Sequence, residues 1–138
     1  MKLRSALILI ATHVTTLLAG AWLGFQLIGR LTHFGALEEL AQSQALASAS
    51  FAEGANNDAR EALVRNLELL DRRGPSALQP TELAVDRAIT LLRLWKVEVA
   101  AGRAQQATDY RARAQRVCEE AKWKDCSDQA MDRLISWR

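Results

Sequence analysis

Residues 5–29, SALILIATHVTTLLAGAWLGFQLIG, run for 25 consecutive positions without an Asp, Glu, Lys or Arg. As an α-helix this stretch would be roughly 37 Å long, enough to cross a hydrocarbon core of about 30 Å with some tilt. A surface or core helix of a globular domain shows an apolar stripe, not an apolar perimeter of this length. The stretch is therefore expected to be a transmembrane signal-anchor helix. It divides the chain into a cytoplasmic n-region (residues 1–4), the span (residues 5–29) and an extracytoplasmic domain (residues 30–138).

A cleavable signal peptide is the alternative. Met1–Arg4 suits an n-region, Leu7–Leu18 an apolar h-region, and Ala19-Gly20-Ala21 a small-residue cleavage site. The apolar pattern continues past that site through Trp22, Leu23, Phe25, Leu27 and Ile28, so cleavage would leave a hydrophobic mature end. Orientation follows from the flanks. Lys2 and Arg4 precede the stretch, whereas Arg30 alone follows it, soon joined by Glu38 and Glu39. The positive-inside rule places the N-terminus in the cytoplasm and the remainder outside, in the periplasm of a bacterial inner-membrane protein. The bacterial source rests on Ala/Arg-rich usage and the short basic n-region.

Working outward, 138 residues suffice for one domain beyond the anchor. Gly (7) and Pro (2) are too few for collagen-like or low-complexity classes, and aromatics at 6% with little strand-like alternation argue against a sheet protein. Residues 31–138 carry 15 Lys and Arg against 16 Asp and Glu, so the outer part is close to neutral and no nucleic-acid partner is expected.

The outer part reads as an antiparallel bundle of four to five helices. The first continues the membrane helix to about Ala52, with Leu37, Leu40, Gln44, Ala47 and Phe51 in a heptad-like seam. Gly54-Ala55-Asn56-Asn57 breaks it, and Asp58 with Glu61 suggests a capping box for the second. The second helix buries Ala62, Leu63, Asn66, Leu67 and Leu70 and is expected to stop at Gly74-Pro75. Thr81 is the expected N-cap of a central third helix with Val85, Ile89, Leu92, Trp95 and Val99 on its core face, widened by Leu91 and Leu94. Gly102 ends it. Ala107, Tyr110, Ala114, Val117 and Cys118 line a fourth helix, and Met131, Leu134, Ile135 and Trp137 a short last one. Ala100-Ala101-Gly102, Ala107, Tyr110 and Ala114 resemble the hairpin of a tetratricopeptide repeat. The likeness covers one repeat, with no second copy at a 34-residue period, and reads as close packing at small residues.

Cys118 and Cys126 are the two cysteines of the chain. A pair in a translocated domain is expected to form a disulfide. Eight residues of unbroken helix would hold them about 12 Å apart, so the helix must break between them, with Asp125 or Ser127 capping the next one. Free, half-buried thiols are the plainer alternative. No histidine lies near, so no metal site is expected.

Thr12, Thr16, Gly20 and Gly24 recur every fourth residue, a small-residue stripe that lets two membrane helices approach closely. The expected partners are lipid and a second copy of the chain or another membrane protein. Small residues are also common in membrane helices that do not pair. His13 lies beside this stripe, where a neutral hydrogen-bonded imidazole is expected. His33 is 20 residues away, about 30 Å along a helix, so the two could not share a haem, and no cofactor is expected. Arg103, Arg111, Arg113 and Arg116 form a candidate partner or anion surface on the fourth helix, for which the plainer reading is a solvated face. Glu38-Glu39 and Glu119-Glu120 are adjacent in sequence and point to different helix faces, which does not suit an acid/base dyad. No catalytic triad, metalloprotease motif or phosphate loop is legible, so the chain is expected to be no enzyme. The expected role is that of a membrane-anchored interaction, scaffold or accessory protein. A second reading, an extracytoplasmic ligand sensor, follows from the resemblance of anchor plus helical bundle to the sensory half of bacterial chemoreceptors. Here no second span returns to a cytoplasmic module, so a signal would pass laterally to a partner. A secreted protein released after Ala21 is the third.

Overall fold

The computed structural model describes the backbone of residues 2–136 and the side chains of residues 17–135. The described residues form five helices and no strand. They are α1 (Lys2–Glu53), α2 (Asn57–Ala77), α3 (Pro80–Ala100), α4 (Ala104–Glu120) and α5 (Asp128–Ser136). The chain divides into two compact units, Met1–Gly35 and Ala36–Arg138.

Within the first unit, nine large apolar side chains are exposed: Leu17, Leu18, Trp22, Leu23, Phe25, Leu27, Ile28, Leu31 and Phe34. Among the described residues no helix is long and apolar enough to cross a membrane. Gln26, Arg30, Thr32 and His33 interrupt the apolar pattern of the described part. The expected span of residues 5–29 is thus not found there. The side chains of its more apolar half, including Thr12, His13 and Thr16, lie outside the described residues, as does Trp137 at the other end of the chain.

The second unit is the bundle. Gly54, at φ +144°, ends α1 in a conformation that suits glycine. Asn56, not Asp58, caps α2: its side chain accepts from the Ala59 backbone N–H at 2.9 Å. Asp58 falls in the first turn instead, where its charge meets the positive end of the helix dipole. Nor does α2 stop at Gly74-Pro75. Pro75 lies inside the helix, which runs on to Ala77 and closes with the Leu78 N–H donating to Gly74 O at 2.8 Å. So near the end, the donor that proline lacks matters little, and the main role of Gly74 is in packing. A Cβ there would collide with Leu83 Cδ1 of α3.

Gln79, not Thr81, is the N-cap of α3, with Pro80 in the first turn and the Gln79 N–H donating to Glu82 Oε2 at 3.2 Å. The central position expected of α3 holds, since it packs against α2, α4 and α5. Ala88 to Leu94 are buried without interruption. Near its end Val97 and Glu98 turn inward, leaving Val99 55% exposed and off the core face expected for it. Gly102, at φ +71°, then carries the chain into α4.

Two apolar clusters hold the bundle. One joins Ala47, Leu63, Leu67, Leu92, Leu94, Val97, Ala114, Cys118, Met131 and Ile135 with their neighbours. The other joins Leu40, Leu69, Leu70, Ala77 and Leu83. The seam expected on α1 is therefore used: Leu40 and Ala47 are buried, and Leu37, Gln44 and Phe51 half-buried.

Candidate functional site

Along α1, α2 and α3 the two apolar clusters are separated by polar positions at the same level. Asn66 of α2 donates through Nδ2 to Gln44 Oε1 of α1 at 3.2 Å and to Thr90 Oγ1 of α3 at 3.1 Å. Gln44 Nε2 donates to Asp86 Oδ1 at 3.3 Å, and the Thr90 hydroxyl to Asp86 O at 2.8 Å. Asn66 Oδ1 is buried and accepts no hydrogen bond among the described residues. Such a layer costs desolvation and in return disfavours helix registers that would leave its amides unpaired.

A second polar group closes the α2–α3–α4 end. The Glu98 side chain is fully buried. Arg60 Nε of α2 donates to its Oε1 at 2.7 Å, and Arg103 Nε, at the head of α4, to its Oε2. Burial pushes the Glu98 carboxyl up. The hydrogen bonds from Arg103 and Arg60 and their charges outweigh that and hold it below the ordinary carboxylate value. The same bond, outweighing desolvation, raises the Arg60 guanidinium above its ordinary value. Arg93 of α3, also buried, donates to Ser48 Oγ of α1 at 2.8 Å and lies over the Phe51 ring. Asn66 and Gln44 stood on expected core faces. No sequence signal marked Glu98 as interior, because a lone Glu at the end of an apolar helix usually faces water.

The four arginines of the candidate surface separate. Arg103 is drawn into the Glu98 cluster. Arg111 is covered too: its guanidinium stacks 4.4 Å from the Trp95 ring centroid and pairs with Asp128 Oδ1 at 2.6 Å and Asp132 Oδ1 at 3.4 Å. It ties α5 to α3 and α4. Arg113 and Arg116 stay exposed, with Arg113 over the Tyr110 ring. The four therefore form no single surface. Tyr110 and Trp123 pack against the core.

Cys118 and Cys126 stand at disulfide distance, with Cα atoms 5.9 Å apart. The break between them is made at Lys122, which adopts φ 55°, while the Trp123 N–H donates back to Cys118 O at 3.2 Å. Of the two caps left open by the sequence, Ser127 caps α5, its hydroxyl accepting from the Ala130 N–H at 3.3 Å. Asp125 instead accepts from the Ser127 N–H at 2.9 Å. Ser127, through hydroxyl and backbone N–H, and the charge of Arg133 hold the Asp125 carboxyl below its ordinary value.

In the first unit, Gly20 and Gly24 leave open space where a Cβ would stand. Phe25, Gly29, Arg30, His33 and Phe34 border a shallow hollow on the same helix. Among the described residues no group of three or more His, Cys, Asp or Glu is placed to hold a metal ion. No protein-family model, no curated protein and no solved structure matches this chain.

Proposed function

We propose that this chain is a non-enzymatic, single-pass membrane-anchored interaction or accessory protein of the bacterial envelope. The observation that carries the reading is the apolar surface of residues 17–34, where nine large side chains stay 59–76% exposed. Monomeric soluble proteins rarely present a contiguous apolar patch larger than a few hundred Å². Lipid, or the flank of another apolar helix, is the environment such a surface fits. Together with the uncharged residues 5–16, this surface completes a span of residues 5–29 with the N-terminus in the cytoplasm.

The bundle of residues 36–138 then lies in the periplasm, where oxidising conditions suit the paired Cys118 and Cys126. Gly20 and Gly24, with Thr12 and Thr16 on the same stripe, would give a second membrane helix a close approach. Association with a second copy or another membrane protein is the activity this arrangement supports. Cleavage after Ala21 would leave Trp22, Leu23, Phe25, Leu27 and Ile28 at an apolar mature end, which disfavours release.

The test is fractionation of cells producing the full chain, with alkaline carbonate washing and N-terminal sequencing. The uncleaved chain is expected in the washed membranes and in solution only with detergent. Intact chain in the supernatant of an ultracentrifuged lysate would overturn the anchor, and a mature end at Trp22 would replace it with secretion.

A further inference from the structure

We infer that the groove between α2, α3 and α4 is a docking site for an acidic peptide, one carboxylate flanked by an apolar side chain. The inference names a partner surface for the interaction role proposed above and rests on that reading, but its chemistry is independent of the anchor. The groove is about 280 Å³ in volume. Its floor is apolar, made by Leu67 of α2, Leu91 of α3 and Val117 of α4. Three guanidiniums border it: Arg87 from α3, and Arg113 and Arg116 from successive turns of α4.

The pairing of these arginines is incomplete. Arg87 Nη2 meets Asp71 Oδ1 at 2.8 Å, yet its Nε is buried and has no hydrogen-bond partner among the described residues. Arg113 and Arg116 make no ion pair among the described residues. Elsewhere in the bundle, Arg60, Arg65, Arg73, Arg103 and Arg111 each meet a carboxylate.

The local charge also selects the ligand. Asp71 and Glu120 share the groove with the three arginines and leave one net positive charge. One carboxylate neutralises it, whereas a polyanion such as nucleic acid would meet the two acids as well. Guanidiniums grip a carboxylate in bidentate fashion, and the leucine floor takes the apolar neighbour. Charge complementarity over an apolar floor thus points to a peptide and not to a free inorganic anion.

The experiment uses the full chain in dodecyl maltoside and a short peptide capped at both ends. The peptide has one glutamate between two leucines and a neutral nitrobenzoxadiazole label. A matched peptide with glutamine in place of glutamate gives the baseline for micelle and apolar binding. By fluorescence anisotropy the glutamate peptide is expected to bind at least tenfold more tightly than its match. Arg113→Gln combined with Arg116→Gln should abolish that preference. Asp71→Asn, which frees Arg87, should strengthen it several-fold. Both α4 arginines are exposed, and unchanged circular dichroism and melting will show that the double variant folds.

Equal affinity for the two peptides, or a preference that survives the double variant, would overturn the inference. So would arginine-dependent binding to phosphatidylglycerol vesicles with no peptide preference, which would reassign the groove to lipid. Membrane retention is scored separately. A chain that prefers the glutamate peptide but does not pellet with membranes keeps the groove and loses the anchor.

Discussion

Leu31 and Leu92 are the same side chain in the same kind of backbone, yet Leu31 is 61% exposed and Leu92 fully buried. The difference stands for the two units. Residues 17–35 place apolar groups all around one helix, with nothing among the described residues of that unit to cover them. Residues 36–135 place theirs on stripes, so that helices bury one another and turn most of their Arg, Glu and Asp outward, Arg93 and Glu98 excepted. An amphipathic helix finds its partners within its own fold, whereas a helix apolar on every side needs a surrounding medium. The two regions should therefore respond to perturbation separately, and that separation can be broken.

The largest expected effect lies in the first unit. Gly20→Ile with Gly24→Ile should abolish any crosslinked dimer formed in membranes while leaving the bundle's melting temperature unchanged. Persistent crosslinking would remove the stripe from the association, and a lowered melting temperature would mean that the units are energetically coupled.

Next comes Glu98→Ala, expected to cost the bundle about 3 kcal/mol by leaving Arg60 and Arg103 without their carboxylate. Thermal denaturation followed by circular dichroism measures it. A change under about 1 kcal/mol would show that the cluster contributes little beyond a surface pair. The same residue gives a pH signature. Its folded pKa lies below the ordinary 4.5. Its contribution is therefore complete above the unfolded value and is lost as pH falls through the folded one. Glu98→Gln should flatten the acid limb of the stability profile, and a profile of unchanged steepness would count against the assignment.

Cys118→Ser with Cys126→Ser should cost about 2 to 3 kcal/mol in the chain-entropy account. Oxidised protein denatured without reductant should resist thiol labelling at both positions. Ready labelling would mean that the two sulfurs are not joined. The smallest effect is a gain. Lys122 holds a left-handed conformation that disfavours side chains with a Cβ. Lys122→Gly should therefore raise stability by at most about 1 kcal/mol, and a loss would mean that the lysine side chain makes up for its backbone.

Helix boundaries were read within a few residues wherever a break had one local cause, as at Gly54 and Gly102. They mislead where the cause is tertiary or where two local signals compete. Gly74-Pro75 has the composition of a stop, but a Cβ at Gly74 would displace the Leu83 side chain of a different helix, which packs against that backbone. Thr81 is a good N-cap by type, yet Gln79 takes the place because Pro80 favours the first helical turn. Arg103, Arg111, Arg113 and Arg116 look equivalent along the sequence. The neighbouring elements distinguish them: Glu98 of α3 takes Arg103, and Asp128 and Asp132 of α5 take Arg111.

By itself the sequence determined that the bundle is helical, which stripes face inward except at Val99, and that the α4 helix must break before Cys126 if the sulfurs are to meet. Periodicity, spacing and covalent geometry are local, and they act before any long-range contact forms. Only the tertiary structure decided which charged groups go inside. Whether Arg93 and Glu98 can leave water depends on finding Ser48 and Arg60 across helix interfaces, 45 and 38 residues away in sequence. Desolvation makes burial of a lone charge prohibitive and burial of a matched one tolerable. The match exists only once the helices have docked.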